Sequence, residues 1–355
     1  MTVAPGPPAP STIPAATGSS TPRASTPTGS GRAAVTGVVV PLVVGLLIGT
    51  TFVAVFLSAF HDPRPHHLPV AVAGPPAVRA AVASLSEQNG DPLDVSSSSS
   101  GAAARSAVRD REVLGALVVD ASGSTLVVAG ANGTAVTQTL QSVFGAAARA
   151  TRTKLAVVDV QPLTAGDSRG LSVFYGAFGI VLAGFLFGLT SAQTGAGLSW
   201  RWRLASILGF SVLAGLVVAW LLGPVFDALP ARFLSTACIV GLLALAIGAT
   251  TTALLRLIGP AGVFVSALLL LVVGNATSTG ILPAQYLPAW LEPLAAILPV
   301  GVAVRALRGE AYFNGDGLTS AVTVLACWTV AAALVFAGAS ARQRPPASPP
   351  RLEAA

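Results

Sequence analysis

The sequence predicts an α-helical integral membrane protein with six transmembrane helices and a small extracellular α/β domain between the first and second. Three observations carry this. The run Val35 to Phe60 holds no charge and exceeds the roughly 20 residues that cross a bilayer. Further runs nearly free of charge crowd the chain after Leu171. Between them, residues 61–170 alternate strand-like and helix-like patterns. Composition agrees: 53% of residues are hydrophobic and 10% charged, against about a quarter charged in soluble globular domains.

In chain order, residues 1–33 are rich in Pro, Ser, Thr and Gly and lack an apolar period, which predicts a disordered tail. The first helix, 34–60, is too long for the apolar core of a cleaved signal and reads as an anchor. Pro69 to Ala73 reads as a buried strand, and the stretch after Pro75 and Pro76 as a helix ending near Gly90. Val95 to Ser98 is a short strand and Ala102 to Val113 a charged amphipathic helix. Leu114 to Asp120 and Ser124 to Ala129 are two strands joined around Ala121 to Gly123, followed by a helix over 133–150 and a strand from Leu155 to Val160. These elements suffice for a small α/β domain.

The helical part, 171–340, holds five predicted spans: Leu171 to Thr190, Leu204 to Leu222, Phe233 to Leu255, Ala261 to Val273 and Leu318 to Gly338. Six spans place both tails on one side. Arg201, Arg203 and Arg256 follow the second and fourth spans, so the positive-inside rule makes that side cytoplasmic and puts 61–170 outside. The tail 341–355 repeats the Pro-rich composition with Arg342, Arg344 and Arg351. The segment 276–316 is apolar but broken by Pro283, Pro288, Pro293 and Pro299, which predicts re-entrant or interfacial helices with Tyr286, Trp290 and Tyr312 at headgroup depth.

Chemistry is sparse. No phosphate-binding GxxxxGK[ST] loop and no zinc or haem spacing occurs, so no enzyme activity, cofactor or metal is expected. The net charge of +6 sits at span ends and forms no nucleic-acid stripe. His61, His66 and His67 cluster at the exit of the first span, where prolines and polar residues mark a membrane boundary. Cys238 and Cys327 lie inside spans and read as small apolar residues. Asn132 and Asn275 begin glycosylation-type triplets too short to weigh. Gly45/Gly49 and Gly184/Gly188 have the spacing that lets two helices approach closely.

Glu292 is the acid inside the broken apolar segment, a functional candidate by its cost at membrane depth; the plain alternative is solvation or pairing with Arg305 or Arg308. Arg201 and Arg203, alternating with Trp200 and Trp202, read as a headgroup anchor or as a docking surface for a soluble partner.

The arrangement and three stretches, Phe60 to Pro75, Arg109 to Val119 and Leu287 to Gly315, resemble the type-2 ABC exporter permeases of actinobacteria, near the YhgE/phage-infection-protein branch. Some likeness extends to nitrosoguanidine-resistance-type membrane proteins. The resemblance implies six helices, an external domain after the first, re-entrant helices before the last, a homo- or heterodimer of half-channels and a separate nucleotide-binding ATPase subunit. The expected activity is export of an amphipathic, lipid-like or drug substrate across the cytoplasmic membrane. Gly184, Gly188, Ser191, Ser266 and Asn275 are the expected translocation face, and Arg201 and Arg203 the expected ATPase dock. The rival expectation is a non-transporting anchor whose α/β domain binds a cell-envelope or protein partner.

Overall fold

The structure is a computed structural model and describes residues 31–342 apart from 89, 122, 151 and 196. The expected tails lie outside the described residues, except that 31–33 and 341–342 extend the first and last helices. The chain divides into residues 1–45 and 46–355. Of the first unit, only the opening half of helix α1 (Gly31–Phe60) is described.

The second unit opens with the rest of α1, whose Leu46, Leu47, Phe52, Val53 and Leu57 are exposed while Val55 and Ala59 are buried against Val272, Leu287 and Leu291. The α/β domain follows: β1 (Leu68–Ala73), α2 (Pro76–Gln88), β2 (Leu93–Ser97), α3 (Gly101–Arg109), β3 (Gly115–Asp120), β4 (Gly123–Val128), α4 (Thr134–Ala150) and β5 (Leu155–Asp159). The sheet order is β2-β1-β3-β4-β5. β1 is parallel to both β2 and β3, β3 and β4 form an antiparallel hairpin, and β5 lies parallel to β4. Central β1 and β3 are apolar on both faces because helices cover both. Leu68, Val70, Leu126 and Leu140 pack on the α2 and α4 side, whereas Ala71, Val118 and Val127 meet Ala104 and Val108 of α3. Each large side chain so enclosed contributes about 1.5–3 kcal/mol. Ser100 caps α3 by accepting the Ala103 N–H at 3.1 Å. The helix stops four residues short of the expected Val113 because Arg111 turns into the left-handed region at φ 61°.

Among the described residues, five helices are long and apolar enough to cross a membrane: Val38–Phe60 of α1, α5 (Ser172–Thr194), α6 (Trp200–Trp220) with its π-helical extension to Val225, α7 (Phe233–Ile258) and α12 (Leu318–Arg342). The chain is therefore a multi-pass membrane protein. The span predicted over Ala261 to Val273 falls short: α8 (Ala261–Ser266), a π-helical stretch Ala267–Val273 and α9 (Gly274–Ala276) make one apolar helix of fewer than 18 residues. α7 is the most buried of the five and packs against α5, α6 and α12. Cys238 of α7 and Cys327 of α12 are free thiols exposed on their helices, within the spans where they were expected.

The broken segment resolves into α10 (Glu292–Ile297) and α11 (Pro299–Tyr312), each started by a proline in its first turn, where the missing N–H costs nothing. α11 is almost wholly buried and contacts α5, α7 and α12. Tyr286 and Tyr312 are buried as well, so of the three aromatics expected at headgroup depth only Trp290 is exposed. Gly170, Thr279 and Gly280 are pinned by Arg308 of α11, and the apolar cluster around α11 continues through Phe313 into the α3 face of the sheet.

Candidate functional site

The broken segment is where the α/β domain joins the helices, through three groups of contacts. The Tyr286 hydroxyl donates to Thr139 Oγ1 of α4 at 2.8 Å, and the His66 N–H donates to the Gln285 carbonyl at 2.8 Å. Beyond β5, Gln161 Nε2 donates to the Tyr312 carbonyl, and Thr164 Oγ1 to the Ala228 carbonyl at 3.1 Å. The third group is charged. Asp316, between α11 and α12, accepts from Arg111 Nη1 at 3.2 Å and from Arg305 at 3.1 and 3.3 Å, while Asn314 Nδ2 donates to Asp110 Oδ1 at 3.4 Å.

Arg111 owes its position to the left-handed turn that ends α3. Its guanidinium lies 4.9 Å from the centre of the Phe313 ring, a cation–π contact that adds to the ion pair. Burial, and then the positive charge of Arg308, push Arg111 down to about 10, with Asp316 opposing, so the group stays charged at neutral pH. Arg308 is 5% exposed; burial lowers its pKa and nearby Asp167 raises it. Its guanidinium donates to the carbonyls of Gly170, Thr279 and Gly280 at 3.1–3.3 Å, a planar fork holding three chain segments together. Asp167 sits at the start of α5 and accepts the Leu171 and Ser172 N–H groups at 3.0 and 3.1 Å, satisfying donors the helix leaves unpaired.

A cavity of about 590 Å³ opens in this seam. Arg111, Glu112 and Asn132 line it from the α/β domain, and Glu292, Arg305 and Val302 from the broken segment. Glu112 and Glu292 are exposed and make no ion pair among the described residues. Asn132, at the wall, is 1% exposed, and neither side-chain polar atom has a protein partner. The cavity thus offers both signs of charge beside apolar surface from Ala284, Ala295 and Val302, which suits an amphipathic molecule with a charged head.

The structure places Glu292 on this cavity but gives it neither expected partner, since Arg305 pairs with Asp316 and Arg308 with carbonyls. Gly184 and Gly188 face α7: a Cβ at Gly184 would stand 3.0 Å from Ile247, and one at Gly188 would stand 2.6 Å from Thr251. Ser266 and Asn275 are fully buried; Asn275 Nδ2 donates to the Leu271 carbonyl at 2.8 Å. Ser191 and Arg203 line a separate pocket at the other end of α5, and Arg201 is exposed beside it. Of the five residues expected to form a translocation face, Ser191 thus lines this pocket, Gly184 and Gly188 lie close against α7, and Ser266 and Asn275 are buried. Arg111, Asp167 and Asp316 are not singled out in the sequence, and Arg308 is named there only as a partner for Glu292; the signal passed over is the pair of arginines, Arg305 and Arg308, inside the apolar run around Val304. Among the described residues no group of three or more His, Cys, Asp or Glu is placed to hold a metal ion.

No family model, curated protein or solved structure matches the chain.

Proposed function

We propose that the chain is the membrane subunit of an ABC-type exporter that moves an amphipathic, lipid-like or drug substrate across the cytoplasmic membrane, energised by a separate ATPase subunit. In this reading α8 and α9 complete a sixth crossing, both termini are cytoplasmic and the α/β domain is outside. Arg201, Arg203 and Arg256 at the opposite end of the bundle from that domain support the orientation. The observation that carries the proposal is the seam itself. The α/β domain is tied to the segment leading into the last span by an ion-pair network and a shared apolar core, so a displacement of α11 or α12 is transmitted to the domain and to the cavity between them. An anchor alone has no need of such a coupling.

A second reading, a non-transporting protein whose α/β domain binds a partner, is favoured by one feature. Edge strand β5 exposes Val157 and Val158 on opposite faces beside an unpaired backbone edge, a surface on which another strand can add. Purification from native membranes in mild detergent separates the two. Recovery of an ATPase bound to the helical part supports export, whereas a complex that forms through the α/β domain and lacks an ATPase supports the second reading.

A further inference from the structure

The pocket at the Arg203 end of the bundle is distinct from the seam. It measures about 320 Å³, at the lower end of the range for small-ligand sites, and is bounded by α5, α6, α7 and α12. Its walls are Phe187, Ile207, Leu245, Ala249, Ala333 and Phe336. The face-to-face stack of Phe187 on Phe210, with centroids 4.4 Å apart, joins α5 to α6 beside it. The hydroxyls of Thr252 and Thr329, which also line it, donate back to their own helices at 2.8 Å and so present little polarity to the interior.

The pocket has one charged residue. Arg203 is half-buried, held by the Gly195 and Leu198 carbonyls and lying 5.9 Å over the Phe336 ring. Among the described residues around it the charge is of one sign: Arg201 is beside it, Arg256 and Arg342 close the same end, and no acid occurs in 191–207, 245–262 or 329–342. Trp200, on the pocket, and Trp202 are exposed as residues of a membrane boundary are.

We propose that this pocket holds one acyl chain of an anionic membrane phospholipid, with the lipid phosphate on Arg203. An apolar slot between spanning helices closed by a basic rim has the shape and charge for such a lipid, whose phosphate is drawn to the guanidinium charge held at the rim while its chain fills the slot. The site depends on the helices spanning a membrane and not on export.

The test uses the full chain in bilayer discs containing phosphatidylglycerol and phosphatidylcholine with identical acyl chains, and reads the lipids retained after extraction by native mass spectrometry. Phosphatidylglycerol is expected to be retained about fivefold over phosphatidylcholine. Arg203→Gln should bring that ratio to about one, Arg203→Lys should keep much of it, and Ala333→Phe should reduce retention of both lipids. Because the readout is a ratio on folded particles, a lower yield of any variant does not change it. Equal retention by the wild-type protein, a preference surviving in Arg203→Gln, or displacement of the lipid by free glycerol phosphate would overturn the proposal.

Discussion

Replacing Asp316 with Asn removes a negative charge from between two guanidinium groups while keeping the side chain's size. The Arg305 partner has a 59% exposed side chain, so solvent screening limits that pair to about 0–1 kcal/mol. The Arg111 side chain is 16% exposed, and its bond to Asp316 is charge-assisted in a partly buried place, worth about 1.5–3 kcal/mol. Without Asp316, Arg111 keeps the face of Phe313 but meets the positive charge of Arg308 unopposed by its nearest acid. The expected loss is about 2–3 kcal/mol, mostly through Arg111. A double-mutant cycle measures it: Asp316→Asn and Arg111→Gln singly and together, then the same with Arg305→Gln, by denaturation in one fixed detergent. The Arg111 cycle should show a coupling of about 1–2 kcal/mol and the Arg305 cycle less than about 1 kcal/mol. Hydrogen exchange in the α3–β3 connection should accelerate about 30-fold, the factor for about 2 kcal/mol, while the α2–β2 region stays protected. Additive behaviour of Arg111 and Asp316, or unchanged exchange at this connection, would refute the view that the charge network holds the domain in place.

Gly188→Ala puts a methyl against Thr251 and should cost about 1–3 kcal/mol in thermal unfolding, whereas Gly179→Ala on the same helix, with nothing within 4 Å, should be neutral or slightly stabilising. Arg308→Lys keeps the charge but cannot span three carbonyls, so a loss of about 2–4 kcal/mol is expected by the same measurement. Glu292→Gln should change stability by no more than about 0.5 kcal/mol, because the residue is exposed and has no ion-pair partner among the described residues. If the chain exports as proposed, a fall in efflux of an amphipathic dye from cells with that variant at unchanged stability would assign the effect to the cavity, and unchanged efflux would remove Glu292 from the proposed path.

The spans were legible because a bilayer demands long charge-free runs, and the sheet because β1, β3 and β4 concentrate β-branched residues between turns. The seam was not legible, for a geometric reason. Arg111 and Asp316 are 205 residues apart in the chain, and no local pattern encodes their meeting. Tyr286 and Tyr312 were read as headgroup residues because an amphipathic ring satisfies a bilayer surface and a domain interface equally well; the Thr139 hydroxyl and the α/β domain decided for the latter. Glu292 was visible as an acid in apolar surroundings, but its two plausible arginine partners were taken by Asp316 and by carbonyls. The Gly184/Gly188 spacing marked a close helix approach without naming the partner helix, which is α7.

The proposal that this chain is a transport subunit is tested most directly by measuring ATP hydrolysis in the complex recovered with it from native membranes. On this proposal a bound ATPase is recovered whose turnover falls when Asp316→Asn or Arg111→Gln loosens the seam, with binding of the ATPase unchanged if its dock is at the Arg201 and Arg203 end as expected. Recovery of the intact chain with no ATPase, or an ATPase indifferent to both substitutions, would contradict it.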